Sequence, residues 1–284
     1  MTEPRSRHAN RLLNAACISA AVLVGGGFFW IVGDVLWHGL GEVSWSLLSE
    51  APSDAGRAGG IAPILLSSAL ILGICMVVVL PLGLGTAALL AEYGRDHPRS
   101  IALIGRSLDV LAAVPSIVFG LFGYAFFGIA LGMGFSIASG GLTLACMVLP
   151  LLIRAAEAAL QSVPDEQRLA AAALGMSRAR TLRSVLIPAA APGIVAGLIL
   201  SIGRAVAETA ALLFTSGYVS RAPESLLDSG RALSVHIFDL AMNVSGGESR
   251  AYASAVVLLS ALLALNLLAG SLGQRLLARN LRTI

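Results

Sequence analysis

The chain has 284 residues, 57% of them apolar and only 12% charged, with a mean hydropathy of +0.85. So little polar surface cannot cover a soluble globule of this size, which excludes that class and leaves a polytopic membrane protein. The net charge of +3 rests on arginine alone, since the sequence contains no lysine; a P-loop nucleotide site, whose lysine must reach the phosphates, is excluded with it.

Several apolar runs exceed the roughly 20 residues a helix needs to cross a bilayer. The fold class expected is all-α, a transmembrane helix bundle of about six spans forming one domain over 1–284. The first span, about 12–36, follows Arg5, Arg7 and Arg11 and lacks the short core and cleavage site of a signal peptide. A Gly/Pro/Ala loop, "EAPSDAGRAGGIAP", leads to the second span at about 63–91. The segment 98–110 is amphipathic and is expected at the interface before the chain dips in at Pro115. Spans at about 111–133 and 137–160 follow, joined by a tight turn in "GMGFSIASGG". The last two are expected at about 189–216 and 252–274. Cys17, Cys75 and Cys146 sit far apart within apolar segments, so packing rather than a disulfide framework is expected.

Orientation follows from the arginines. With the N-terminus inside, the inner segments hold Arg5, Arg7, Arg11, Arg95, Arg99, Arg106, Arg154, Arg168, Arg178, Arg180, Arg183, Arg275, Arg279 and Arg282. The outer loops hold Arg57, Arg221, Arg231 and Arg250. The positive-inside rule then places both termini in the cytoplasm. His38 and His236 fall in outer loops without a set of ligand partners, and no metal site is expected.

Between the fourth and fifth spans, residues 162–188 read "SVPDEQRLAAAALGMSRARTLRSVLIP". Ser162 is read as a helix start, with Asp165 and Glu166 in the first turn. Gly175 breaks that helix, a basic amphipathic helix follows, and Pro188 opens the next span. On spacing alone this is either a solvated connector whose arginines touch anionic lipid or a docking element.

In the fifth span, Arg204 and Glu208 stand four residues apart within an apolar run. As i and i+4 of one helix they share a face. A charge facing lipid costs at least about 2.5–3.5 kcal/mol, so that face is turned to the bundle or a wet cavity. Either the two pair with each other and fix packing, or Arg204 offers its planar fork to an oxyanion while Glu208 moderates the field. Pro115 and Ser116 interrupt a helix at membrane depth, as a kink or as backbone lining a path. Arg154 and Glu157 are read as an interfacial ion pair.

The loop around Ala170, Ala171, Gly175, Val185, Ile187 and Pro188 resembles the cytoplasmic loop of ABC-importer permeases, which docks on an ATPase subunit. Leu169 stands where that family usually has Glu. The ordered stretches "GGIAPILLSSALIL", "AALLAEY", "AAVPSIVFGLFG", "LPLLIRAAEAALQSVP", "LIPAAAPGIVAGLILSIGRAVAETAALLFTSG" and "LNLLAGSLGQRL" resemble the A-type permease of phosphate ABC importers over about 59–277. Ala207 and Ala211 depart from that branch's G-E-T-A-P, whose Gly and Pro would loosen the helix.

The resemblance implies a type I importer permease in the inner membrane, passing phosphate along a path that includes Arg204 and Glu208; Thr209 and Ser116 are expected on the same path. It implies coupling through Ala170, Ala171, Gly175 and Pro188, and Arg178 of the basic helix is expected to take part. The implied partners are a homologous second permease, a cytoplasmic ATPase dimer that binds the ATP and Mg²⁺, a periplasmic phosphate-binding protein and membrane lipid. This chain itself is expected to be neither an enzyme nor a cofactor or nucleic-acid binder. The alternatives are a permease for sulfate, molybdate or phosphonate, and a secondary transporter. An intramembrane enzyme is disfavoured because the spans show no catalytic constellation.

Overall fold

The computed structural model describes residues 4–94 and 98–281. Of the arginines assigned to the inner face, Arg95 and Arg282 lie outside the described residues, as do the side chains of Arg5, Arg7, Arg275 and Arg279. Among the described residues five helices are long and apolar enough to cross a membrane, and six if one bent pair counts as a span.

The first helix, α1 (Pro4–Gly39), stands at the rim, exposed over nearly all of its described side chains. It meets the bundle through its far end, where Gly39 lies against the backbone of Tyr252 and the Tyr252 hydroxyl donates to Asp34 at 3.0 Å. A short helix, α2 (Trp45–Ser49), is capped by the Ser44 hydroxyl. It leads into a two-stranded antiparallel hairpin, β1 (Pro52–Ser53) and β2 (Ala58–Gly59), which a purely helical expectation leaves out.

Three helices make the centre: α3 (Ala62–Ala88), α6 (Ile137–Gln161) and α9 (Ile187–Ala207). Cys75, Val79, Leu144, Val148 and Leu152 are fully buried between the first two. Helix α9 approaches α6 closely because small residues face each other. A methyl at Gly193 or Gly197 would sit 2.7 or 2.5 Å from the β-carbons of Ala159 and Ala155. Each central helix carries an internal proline, Pro81, Pro150 or Pro192, which membrane helices tolerate when neighbours satisfy the freed carbonyl. All three cysteines are free.

Helix α3 passes into a wide turn over Leu89–Tyr93. The amphipathic helix α4 (Pro98–Ala112) then turns through 94° into α5 (Ser116–Gly123), which continues as a widened helix to Ala130. The bend falls at residues 113–115, ending at the expected Pro115, so the helix of the third span starts at Ser116 and not at 111. The expected turn "GMGFSIASGG" shrinks to residues 131–136, where Gly132 and Gly134 adopt positive φ. Ser136 then caps α6.

Two corrections concern the loop after α6. Ser162 closes α6 rather than opening a helix: its hydroxyl donates back to the Ala159 carbonyl. Pro164 precedes α7 (Asp165–Ala173) instead. The second helix, α8 (Arg178–Thr181), does not stop before Pro188 either. It runs through a widened turn, Leu182–Leu186, straight into α9. That turn already shifts the hydrogen-bond ladder, so a proline directly after it removes little.

The fifth span also ends early. Helix α9 stops at Ala207, a four-residue helix α10 (Ala210–Leu213) follows, and an extended segment covers the start of α6. Its carbonyls at Thr215, Asp228 and Leu226 accept the Ser136, Ile137 and Ala138 N–H groups, donors that a helix start leaves unpaired. The segment carries into α11 (Leu233–Met242), buried against the last helix α12 (Glu248–Leu281) and the start of α3. His236, expected in an outer loop, is instead a buried residue of α11, 1% exposed.

Candidate functional site

The break after Ala207 is set by tertiary partners rather than by local sequence. Glu208 leaves the helical region at φ −74°, ψ 128°, although Ala207 before it and Ala210 two residues on favour helix. Its carbonyl accepts the Ser234 hydroxyl of α11 at 2.6 Å, and its carboxylate accepts the Ala211 N–H at 3.4 Å. Ala211 is fully buried against Gly120 of α5, where an added methyl would come within 2.9 Å of the Ala211 α-carbon. The geometry expected from Gly and Pro at 207 and 211 is thus reached without either.

The expectation that Arg204 and Glu208 share a helix face is therefore corrected, because the helix ends between them. Arg204 occupies the last turn of α9, where the helix dipole favours a cation. It is exposed, and among the described residues it makes no hydrogen bond or ion pair. Glu208 is nine-tenths buried. Both line one open cavity of about 540 Å³, between apolar walls at Leu151 and Leu200 and beside Gly203.

Asn266 of α12 joins them there. It was not singled out from the sequence, although an amide inside the apolar run 261–269 is the signal that could have found it. Neither Ser116 nor Thr209 lines this cavity. Thr209 lies in the break itself, and Ser116 begins α5 one turn before Gly120, on the helix that packs α10.

The loop residues form a second constellation at the other end of α9. Gly175 has φ +69°, with its N–H donating to Ala172 and that of Met176 to Ala171. Those two bonds close α7 as a left-handed glycine cap. Ala171 is buried while Ala170 faces outward. Leu169 and Leu174 project 71% and 81% exposed, an apolar pair on a surface that has no core to join. Ser177 caps α8, Arg178 is exposed, and Pro188 is half-buried where α9 begins.

Two ion networks brace this end. Arg154 holds Glu157 at 2.9 Å, as expected, and also grips both carboxylate oxygens of Asp109 on α4. Arg168 of α7 reaches Glu92 beyond the end of α3. At the opposite end Arg231 pairs with Asp239 at 2.9 Å beside His236. Burial, then the Arg231 charge, push the His236 imidazole down to about 4. Among the described residues no three metal-ligating side chains cluster.

The profile of the family described as "Binding-protein-dependent transport system inner membrane component" matches residues 80–283. The "Probable ABC transporter permease protein YqgI" of Bacillus subtilis is 34% identical over 275 residues, 91% of each chain. The "Phosphate transport system permease protein PstA" of Yersinia pestis is 35% identical over 270 residues, 93% of this chain and 89% of its own. A solved structure of the MetNI methionine ABC transporter in an inward-facing conformation aligns with TM-score 0.57 at 16% identity, over 76% of this chain and 94% of that one.

Proposed function

The chain belongs to the binding-protein-dependent transport system inner membrane component family, and we propose from that premise that it is the phosphate-passing transmembrane subunit of an ATP-driven importer. The observation that carries the reading is Arg204: a guanidinium with no partner among the described residues, at a helix break, in an open cavity. Such a group is costly against lipid and is retained where an anion meets it.

The fork of Arg204 donates paired N–H groups to the oxygens of a phosphate, and the charge makes those bonds about twice as strong as neutral ones. Glu208, buried at the same wall, reduces the local positive field so that the anion moves on. Its backbone and carboxylate are engaged by Ser234 and Ala211, which keeps it in place without neutralising Arg204. Thr209 and Ser116 flank the two helix interruptions and complete the path we propose.

The whole chain acts as one permease domain of the inner membrane, with both termini in the cytoplasm. It carries no lysine for a phosphate loop, so ATP and Mg²⁺ are bound by an ATPase dimer and this chain performs no catalysis. The ATPase docks on residues 162–188, where Leu169 and Leu174 supply apolar contact in place of a glutamate. A second, homologous permease closes the open side of the cavity, and a binding protein delivers phosphate from outside.

ATP-loaded proteoliposomes holding the assembled importer, with binding protein outside, test this reading. Accumulation of labelled phosphate that excess sulfate, molybdate and phosphonate leave unchanged supports it. Accumulation of one of those anions in place of phosphate, or uptake that continues without ATP, contradicts it.

A further inference from the structure

Arg168 makes two separable sets of contacts. Its Nη2 and Nη1 donate to the carbonyls of Leu160 and Val163 at 2.8 and 2.5 Å, closing the end of α6. Its Nε and Nη2 donate to one carboxylate oxygen of Glu92 at 3.0 and 2.8 Å. Glu92 lies in the wide turn that continues α3, 76 residues away in sequence. The two side chains are 11% and 14% exposed, against 67% for Asp165, which Arg168 also touches at 3.3 Å.

The first set explains a fold role for Arg168 by itself, since unpaired carbonyls at a helix end need a donor. It does not require Glu92. A desolvated ion pair adds little net stability over an apolar contact of the same shape, so the pair is better explained by the geometry it fixes. That geometry joins α7, whose outer surface presents Leu169 and Leu174, to α3, which packs along the length of α6 at the centre of the bundle. Helix α7 is covalently continuous only with α6 and α8.

We propose that the Arg168–Glu92 pair is the positioning link by which displacement of α7 is transmitted to α3. The proposal rests on the reading of residues 162–188 as the docking loop. A rigid, doubly donated contact between a charged fork and a carboxylate transmits both push and pull, which apolar packing alone does not. Without it, α7 follows its ATPase while α3 lags, and hydrolysis runs without transport.

The test uses the complete importer in proteoliposomes and reads phosphate accumulated per ATP hydrolysed. Glu92→Gln removes the charge and leaves the Arg168 bonds to α6 intact. We expect normal assembly, continued ATP hydrolysis and a ratio about tenfold lower, within the range that coupling contacts carry. Arg168→Lys, which keeps the charge and loses the fork, should fall between that variant and wild type. An unchanged ratio in Glu92→Gln overturns the proposal alone. So does failure of both Glu92→Gln and the milder Glu92→Asp to assemble, which would make the pair scaffold. Absence of phosphate uptake by the wild-type complex in the same liposomes overturns the substrate reading, and this proposal with it.

Discussion

Arg204 and Glu208 stand on opposite sides of a helix end and face one cavity without bonding to each other. A continuous helix would stack them one turn apart and let them neutralise each other. The break instead commits Glu208 to Ser234 and Ala211 and leaves the arginine fork open. What looks in sequence like a self-sufficient pair is in space an engaged carboxylate and an available cation.

The Ser234 hydroxyl holds that break by donating to the Glu208 carbonyl. Ser234→Ala should cost about 1–3 kcal/mol, because it strands a buried carbonyl. Thermal unfolding in detergent should show a lower midpoint, and Ser234→Thr, which keeps the hydroxyl, should retain more of it. An unchanged midpoint in the alanine variant would mean that the break persists without α11.

At Gly175 the strain of a substitution comes from the backbone alone, since an added methyl meets nothing within 4 Å. A left-handed conformation costs a side-chain-bearing residue about 1–2 kcal/mol. Gly175→Val should therefore leave insertion intact and uncouple hydrolysis from uptake, while Gly175→Asn, better tolerated in this conformation, should lose less. Normal coupling in the valine variant would count against the docking-loop assignment.

His236 sets a pH dependence. Its folded-state value near 4 lies below the ordinary 6.5 because it is buried beside Arg231. The unfolded chain therefore binds the proton more readily, and the stability at stake is complete above pH 6.5 and lost as pH falls through about 4. The full shift corresponds to about 3 kcal/mol. Unfolding midpoints measured from pH 7 down to 4.5 should decline, and His236→Gln should flatten the decline. A parallel decline in that variant would assign the effect to other groups.

The arginine distribution predicts sidedness. Cysteine replacing exposed Ser225 should label from the periplasmic side of intact cells, and cysteine replacing exposed Arg180 only after permeabilisation. The opposite pattern would invert the topology.

Apolar run length was enough to locate the central helices, because α3 and α6 bury side chains along continuous spans. The turn at Gly175 and the bend at Pro115 were legible for a local reason: each of these residue types constrains its own backbone. The end of α9 was not, since Ala207 and Ala211 favour helix, whereas Ser234, 26 residues beyond Glu208, and Gly120 on another helix stabilise the break. Helix α11 escaped notice because ten residues are too few for a span. Asn266 and Glu92 join their sites only through tertiary contact, which no spacing in the chain encodes.

Labelled phosphate uptake by Arg204→Gln, alone and combined with Glu208→Gln, decides whether Arg204 meets the anion. Glutamine at 208 keeps an acceptor for the Ala211 N–H, so both variants should assemble. Arg204→Gln should abolish uptake, Arg204→Lys should restore part of it by charge without the fork, and the double variant should stay inactive. If the double variant transports at the wild-type rate, Arg204 does not meet the anion and the account is wrong.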